Sequence, residues 1–377
     1  MRQYMTRHIG IRLLLTALVL AACSSDDEGQ TGAQQKATLQ ILSCQKEFSV
    51  VDYAITRGLP SGFSSTSETS IKLFLTTGTN DDSKNDIFYY IDGKWKSEVN
   101  ITAGLCHIYG YIPSTNKCNM APLNSDYKNG AIMTFTDLPS ITTDDPCFIT
   151  GTKQVDLHKT SATTEEIAAV AGEVKEGCFE YTVRASLKGN YLYVLLDHLY
   201  AGLEFRFRVD ADYNKLRTIK LKKLELKACT DNTYATGISP SFNATVTLTA
   251  NNEGTSPVTN VEFSNAGSGA MDYVTLYDCE KDAPLTPLTL QPDTYSSFLS
   301  CFTPDSDRRH FLLKSTYDVY DKVTLTPIRA NCTAENKLTL SRNLLRSQMQ
   351  KVNITVKPTY LYMLSDPDLD NPEITIN

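Results

Sequence analysis

Apolar and polar residues alternate along much of the chain, which is the pattern of β-strands that bury one face. In Leu203–Val209, for example, the apolar positions are separated by Glu204, Arg206 and Arg208. Such segments predict antiparallel strands with one face in a core and the other in water. The alternating segments are Ala37–Ile41, Ile71–Leu75, Phe179–Leu187, Leu203–Val209, Ala244–Leu248 and Val352–Val356.

Local signals add a hairpin, a bulge and one helix to these strands. Ile87–Ile91 runs into Asp92-Gly93, the dipeptide of tight hairpin turns, and Lys94-Trp95 then begins a return strand. The apolar positions shift phase between Lys222 and Lys223, which predicts a β-bulge. Leu105–Ile112 predicts a further strand. Only Thr164–Val174 has a helical pattern. Thr163, just before this segment, and Glu166, within it, have the spacing of a capping box.

Many short strands with little helix predict an all-β fold built as a β-sandwich. The chain has 377 residues, which at about 150 residues per domain suggests two domains. Lys188-Gly189-Asn190 interrupts two strand-rich halves. We therefore predict an N-terminal domain over residues 37–186 and a C-terminal domain over residues 187–377.

The first 22 residues have the pattern of a bacterial lipoprotein signal peptide. Three arginines flank the start of a short apolar run, Ile11–Leu20, and Ala21-Ala22-Cys23 completes a lipobox. We predict cleavage between Ala22 and Cys23, with acyl chains on Cys23 that anchor the protein in a membrane. Residues 23–36 then form an acidic and flexible spacer.

Charge and cysteine content fit an exported protein that does not bind nucleic acid. Removing residues 1–22, which carry three arginines and no acidic residue, takes the net charge from −7 to −10. No basic patch offsets this charge, so a nucleic-acid partner is not expected. Ten cysteines less the acylated Cys23 leave nine, so at least one thiol has no disulfide partner within the chain.

The sequence shows no catalytic or metal-binding motif, and we expect neither enzymatic activity nor a cofactor. His107 and His198 both fall within strand patterns, where structural roles are favoured. Asp366–Asn371 begins like a calcium loop but has asparagine in place of the required glycine, so it is interpreted as a turn. Asp144-Asp145-Pro146 is interpreted in the same way.

The order of these segments resembles that of the fimbrillin family, the exported lipoprotein subunits and accessory proteins of type V pili. The family pattern runs from a lipobox and an acidic spacer to a first strand, an arginine-bearing loop and a second strand. Later motifs are an aromatic strand ending in proline, a His-led strand and a characteristic closing segment. The matching residues are Cys23, Ser24–Glu28, Ala37–Ser43, Thr56–Gly58, Ser70–Thr76, Trp95 with Gly104–Pro113, Leu196–Phe205 and Lys357–Pro372.

This resemblance implies two tandem transthyretin-like β-sandwich domains with Greek-key-type antiparallel strands. It also implies that an arginine-specific protease cuts between Arg57 and Gly58, so that the lipidated first strand leaves and a strand of another subunit replaces it. The expected partners are other fimbrial subunits, the outer-membrane lipid through Cys23, and a host or bacterial surface receptor. The expected location is the cell outer membrane and the fimbria.

Two alternatives remain open from the sequence. The protein could keep its lipid and serve as an anchor or tip component of the fimbria. It could instead be a surface lipoprotein that binds glycans. Val352–Val356 and Tyr360–Leu364 are strand-like segments on either side of Pro358. The C-terminal segment is therefore either a resident edge strand or a donor for a neighbouring subunit.

Overall fold

β-Strands form nearly all of the regular structure in the described part of the chain. The computed structural model describes residues 40–45, 49–50, 69–76, 83–91, 94–96, 104–155, 175–183, 191–251, 258–304, 309–358 and 372–376. Helical structure there is limited to α1 (Ala211–Asn214) and the 3-10 turns Leu123–Ser125 and Tyr127–Asn129. The prediction of an almost entirely β protein is confirmed.

The strands follow one another closely along the chain. They are β1 (Gln40–Gln45), β2 (Ser49–Val50), β3 (Thr69–Thr76), β4 (Ser83–Ile91), β5 (Lys94–Lys96), β6 (Gly104–Ile112), β7 (Lys117–Pro122), β8 (Gly130–Pro139), β9 (Ile141–Thr142), β10 (Cys147–Val155), β11 (Glu180–Val183), β12 (Tyr191–His198), β13 (Ala201–Val209), β14 (Arg217–Cys229), β15 (Ser241–Thr249), β16 (Thr259–Asn265), β17 (Val274–Asp278), β18 (Leu288–Thr289), β19 (Ser296–Phe302), β20 (His310–Asp321), β21 (Pro327–Thr339), β22 (Gln348–Pro358) and β23 (Pro372–Ile376).

Several local predictions are confirmed by this strand set. Ile91 pairs with Lys94, so β4 and β5 form the hairpin that the Asp-Gly dipeptide predicts. The register of β14 against β20 shifts between Leu221 and Lys223, which places the predicted bulge at Lys222. The segments Thr164–Val174, Tyr360–Leu364 and Asp366–Asn371 lie outside the described residues.

The first pair of sheets encloses an aromatic core. An eight-stranded sheet has the order β1-β12-β10-β6-β3-β4-β5, with β11 also paired to β6, and a four-stranded sheet has the order β16-β15-β8-β7. One buried cluster contains side chains from both sheets. Its members include Phe74, Tyr109, Tyr111, Phe135, Phe148, Val246 and Leu248.

The opposite face of the eight-stranded sheet is also buried. Ile71, Leu73 and Leu75 of β3 belong to a second cluster with Ile108 of β6 and Val194 of β12. The expectation that β3 has one wet face is therefore wrong. Intervening residues of the same strands fill the aromatic core, so β3 and β6 are covered on both sides.

The second pair of sheets shares a single large core. A six-stranded sheet has the order β2-β22-β13-β19-β9, with β23 also paired to β22. A five-stranded sheet has the order β17-β14-β20-β21, with β18 also paired to β14. Leu203, Phe205 and Phe207 of β13 are buried in this core while the intervening residues are half-buried, as the alternation predicts.

Strand pairing connects distant parts of the chain. β8 pairs with β15, and β12, which follows residue 187, pairs with β10 in the eight-stranded sheet. Most pairs are antiparallel as predicted, but β1 with β12, β2 with β22 and β13 with β22 are parallel. The division at residue 186 and the transthyretin-like arrangement stay predictions.

Candidate functional site

The residues predicted to be processed all lie outside the described part of the chain. Ala22 and Cys23 precede β1, and Arg57 and Gly58 fall between β2 and β3. Their acylation and cleavage stay predictions. The described strands β1 and β2, which lie between Cys23 and Arg57, nevertheless show which strands this part of the chain pairs with.

β1 forms one edge of the eight-stranded sheet. It pairs in parallel with β12, from Gln40 opposite Tyr191 to Gln45 opposite Leu196. β12 is in turn paired with β10 on its other side. Leu192, Val194 and Leu196 of β12 point into a buried core. β1 is thus held by its hydrogen-bond ladder with β12, and β12 is itself fixed by β10 and by its buried side chains.

β2 and β23 occupy the same edge of β22. β13 pairs with β22 from Met349 to Val356 and takes one of its two edges. β2 pairs in parallel at Gln348 and Met349, whereas β23 pairs antiparallel at Ile354–Pro358. Since a strand has only two edges, a segment near the N-terminus and a segment near the C-terminus share the outer edge of β22.

A buried ionic group joins the end of β12 to the start of β22. Arg346 donates from Nη1 to Oδ2 of Asp197 at 2.9 Å and to the carbonyl of His198 at 2.8 Å. The Ser347 hydroxyl donates to Oδ1 of Asp197 at 2.9 Å. Asp197 is only 3% exposed, so these partners supply the hydrogen bonds that water would otherwise give its carboxylate.

His198 faces two further side chains, that of Asp145 in the connection between β9 and β10 and that of Cys147 at the start of β10. Its Nδ1 lies 2.9 Å from Oδ2 of Asp145 and 3.8 Å from Sγ of Cys147. The Cys147 thiol also donates to the Asp145 carbonyl at 3.4 Å. His198 is fully buried and Cys147 is 1% exposed. We call Asp145, Cys147 and His198 the Asp-Cys-His trio.

The trio does not have the arrangement of a nucleophilic triad. In such a triad the nucleophile contacts one imidazole nitrogen and the carboxylate orients the ring through the other. Here both Asp145 and Cys147 face the same nitrogen, Nδ1 of His198. The geometry therefore offers no route by which the imidazole would take a proton from the thiol while the carboxylate orients it.

Burial raises the pKa of two other thiols, Cys301, which lies close enough to feel the charge of Asp145, and Cys106 on β6. Desolvation raises the pKa of Cys301 well above its ordinary value, and the carboxylates of Asp145 and Asp144 raise it further. Desolvation also raises the pKa of Cys106 to about 12. Neither thiol is activated as a nucleophile, because reactivity belongs to the thiolate form.

No local sequence pattern predicts the contacts of His198. The sequence predicts a turn at Asp144-Asp145-Pro146, and in the structure this segment lies in the short connection before β10. The two halves of the trio are separated by about fifty residues of chain, and the pairing of β10 with β12 brings them together. In this pairing Cys147 lies opposite His198, and no local motif indicates that contact.

No described helix is long and apolar enough to cross a membrane. No protein-family model and no curated protein matches the chain. Among solved structures, a fimbrial protein from Bacteroides vulgatus is similar with 12% identity and a TM-score of 0.36, over 91% of this chain and 98% of that chain. The fimbrial anchor protein Mfa2 from Porphyromonas gingivalis is similar with 10% identity and a TM-score of 0.27, also over 91% and 98%. Because both TM-scores are low, neither similarity establishes the function of this chain.

Proposed function

We propose that the protein is a structural subunit of an adhesive cell-surface fimbria, exported as a lipoprotein and assembled by strand exchange. In this proposal, acyl chains on Cys23 hold the newly exported chain at the outer membrane. Cleavage after Arg57 then frees the N-terminal segment, and the protein itself catalyses no reaction.

The position of β1 and β2 supports the proposal. Both strands precede Arg57, and each pairs at the edge of a sheet, β1 on β12 and β2 on β22. A cut between Arg57 and Gly58 would separate both strands covalently from the rest of the fold. The sheets that remain would keep β12 and β22 in place through β10 and β13.

Loss of the fragment would create a strand-binding edge. β12 would expose unpaired backbone N–H and C=O groups along Tyr191–Leu196, and β22 would do so at Gln348 and Met349. Such edges readily take up a further strand, because main-chain hydrogen bonds supply affinity without a special side-chain pattern. Each restored hydrogen bond contributes about 0.5–1.5 kcal/mol.

The C-terminal segment is our candidate for the donor strand. β23 adopts strand structure on the outer edge of β22, next to the position that β2 occupies. A segment that can pair at one edge of its own subunit has the backbone geometry to pair at an equivalent edge of a neighbour. Its release from β22 would leave β13 still paired to β22 over Met349–Val356.

Fatty-acid labelling combined with Arg57→Ala tests this proposal. In the wild type, label should remain on a fragment that ends at Arg57, and sheared filaments should contain unlabelled chains that begin at Gly58. Arg57→Ala should leave a full-length labelled chain on the membrane and abolish filaments, because β1 and β2 stay attached. Mass spectrometry of both fractions measures the outcome.

Arg184→Ala is the matched control, since Arg184 is the next arginine after Arg57 in the mature chain. This variant should be processed and assembled as the wild type is. Filaments that contain Cys23 and an intact Arg57–Gly58 bond would contradict the shaft-subunit role and would favour an anchor or tip component. Normal filaments from Arg57→Ala would exclude cleavage at this bond as the trigger.

A further inference from the structure

We propose that the Asp-Cys-His trio binds a zinc ion. Its three ligand atoms, a carboxylate oxygen of Asp145, Sγ of Cys147 and Nδ1 of His198, all lie within 4.8 Å of one another. They come from two segments that the pairing of β10 with β12 holds together. The three ligands lie outside the residues that pair with β1 and β2, and the proposal does not depend on strand exchange.

The separations of the ligand atoms are close to those of a tetrahedral zinc site. Nδ1 of His198 is 2.9 Å from the Asp145 carboxylate and 3.8 Å from the Cys147 sulfur. In a tetrahedral zinc site with ordinary bond lengths, these separations are about 3.4 Å and about 3.6 Å. The Asp145 oxygen and the Cys147 sulfur lie within 4.8 Å of each other, against about 3.6 Å in such a site. Movements of about one ångström or less would therefore place all three atoms at bonding distance from a common centre.

The donor set and its surroundings favour zinc among the divalent metals. A thiolate with an imidazole and a carboxylate is a borderline-soft set, whereas magnesium and calcium prefer oxygen donors alone. Cys147 and His198 are buried, and the Asp145 side chain is 17% exposed, so the site is screened from bulk water yet open on one side. Binding would release two protons from the ligand atoms, because the metal coordinates a thiolate and an unprotonated ring nitrogen. The thiol proton of Cys147 would go to solvent, and the proton between Nδ1 of His198 and the Asp145 carboxylate would go to solvent or to Nε2 of the same ring.

Hydrogen bonds beside the trio hold its two ligand-bearing segments in place. Leu199 donates its N–H to the carbonyl of Pro146 at 2.7 Å, which joins the two ligand-bearing segments directly beside the site. The Arg346 guanidinium holds the neighbouring Asp197 carboxylate and the His198 carbonyl. Ligands fixed in this way by their neighbours need little reorganisation when a metal enters.

Cobalt titration tests the site, because a cysteine thiolate bound to Co²⁺ gives a charge-transfer absorption in the near ultraviolet. The full chain, treated with a chelator and kept reduced, should develop this band at one Co²⁺ per chain, and one equivalent of Zn²⁺ should remove it. Cys147→Ser should lose the band, and Asp145→Asn should weaken metal binding by more than about 100-fold, as expected for loss of a direct ligand.

Cys118→Ser is the matched control, because Cys118 is a half-buried thiol on β7 and lies outside the trio. This variant should keep the band and the affinity of the wild type. Circular dichroism checks that each variant is folded. The proposal is overturned if folded wild-type protein gives no thiolate band, or if a folded Cys147→Ser or Asp145→Asn chain binds zinc as tightly as the wild type.

Discussion

At the scale of single residues, His107 gives the described fold a dependence on pH. Its side chain lies in β6, where its Nε2 is buried and 3.9 Å from an oxygen of Glu180. Burial lowers the pKa of His107 below its usual value, the charges of Glu180 and Asp126 partly oppose this, and Lys128 lowers the pKa further. The folded state therefore binds the proton less tightly than the unfolded state does.

We predict that His107→Gln makes the stability less sensitive to acid. In the wild type, stability associated with His107 is complete above a pH of about 6.5 and is lost as the pH falls through that value towards the lower folded pKa. Glutamine cannot titrate, so the fall in Tm between roughly pH 7 and pH 5 should become shallower. Thermal unfolding followed by circular dichroism across this range measures the change.

Glu180→Gln should have the opposite effect on the pH dependence of stability, so it tests the direction of the His107 pKa shift. The Glu180 carboxylate raises the pKa of His107, so its removal should widen the gap between folded and unfolded pKa values. The acid-induced fall in Tm should then become steeper than in the wild type. Equal slopes in the wild type and His107→Gln would show that other groups govern the response.

At the scale of elements, Gly110 determines how closely β6 approaches its neighbours. A Cβ atom at this position would lie 2.4 Å from the backbone oxygen of Lys72 and 2.8 Å from Cδ2 of Leu73. It would also lie 3.0 Å from Cδ1 of Ile149. The strands β3 and β10 are thus packed against a residue that has no side chain.

Gly110→Ala should destabilise the protein by about 1–3 kcal/mol, because a backbone oxygen cannot move aside as a side chain can. Gly267→Ala is the control, since the three atoms nearest to its added Cβ would be side-chain atoms of Pro240 and Ser241, at 3.1 Å or more. Urea unfolding should show a clearly lower midpoint for Gly110→Ala alone. Equal midpoints would mean that the β3–β6 ladder adjusts without cost.

The sequence predicts individual elements well because their signals are local. The alternation in β13 and the Asp-Gly turn between β4 and β5 depend on residues a few positions apart. The pairing of β8 with β15, the parallel ladders and the burial of both faces of β3 depend on parts of the chain that meet only after folding. The contact of Asp145 with His198 belongs to this second class, so no local pattern could have indicated it.

At the scale of the whole molecule, the fold pairs two segments that are far apart in the sequence, β2 and β23, with β22. β2 and β23 pair with the same edge of this strand, and β22 is itself held by β13 in the six-stranded sheet. Removal of β2 or β23 would therefore change the outer edge of β22 and leave the interior strands of the sheet in place. The strand exchange proposed above would require this property.

Truncation after Lys357 tests the role of the C-terminal segment in assembly. The shortened chain should remain folded and lipidated, because β22 keeps its ladder with β13, but it should not enter filaments. Removal of Asn377 alone, which follows β23, is the control and should assemble normally. Electron microscopy of sheared material measures assembly, and filaments made of the truncated chain would assign the donor strand to another segment.

The parallel ladder between β1 and β12 also has a mechanical consequence. β1 lies lengthwise along six residues of β12, from Gln40 opposite Tyr191 to Gln45 opposite Leu196. Tension along the strand axis loads these hydrogen bonds in shear, all at once, whereas a force at right angles opens them one after another from an end. A strand from a neighbouring subunit seated in this position would therefore resist the pull of flowing liquid on a filament much better than it would resist being peeled away.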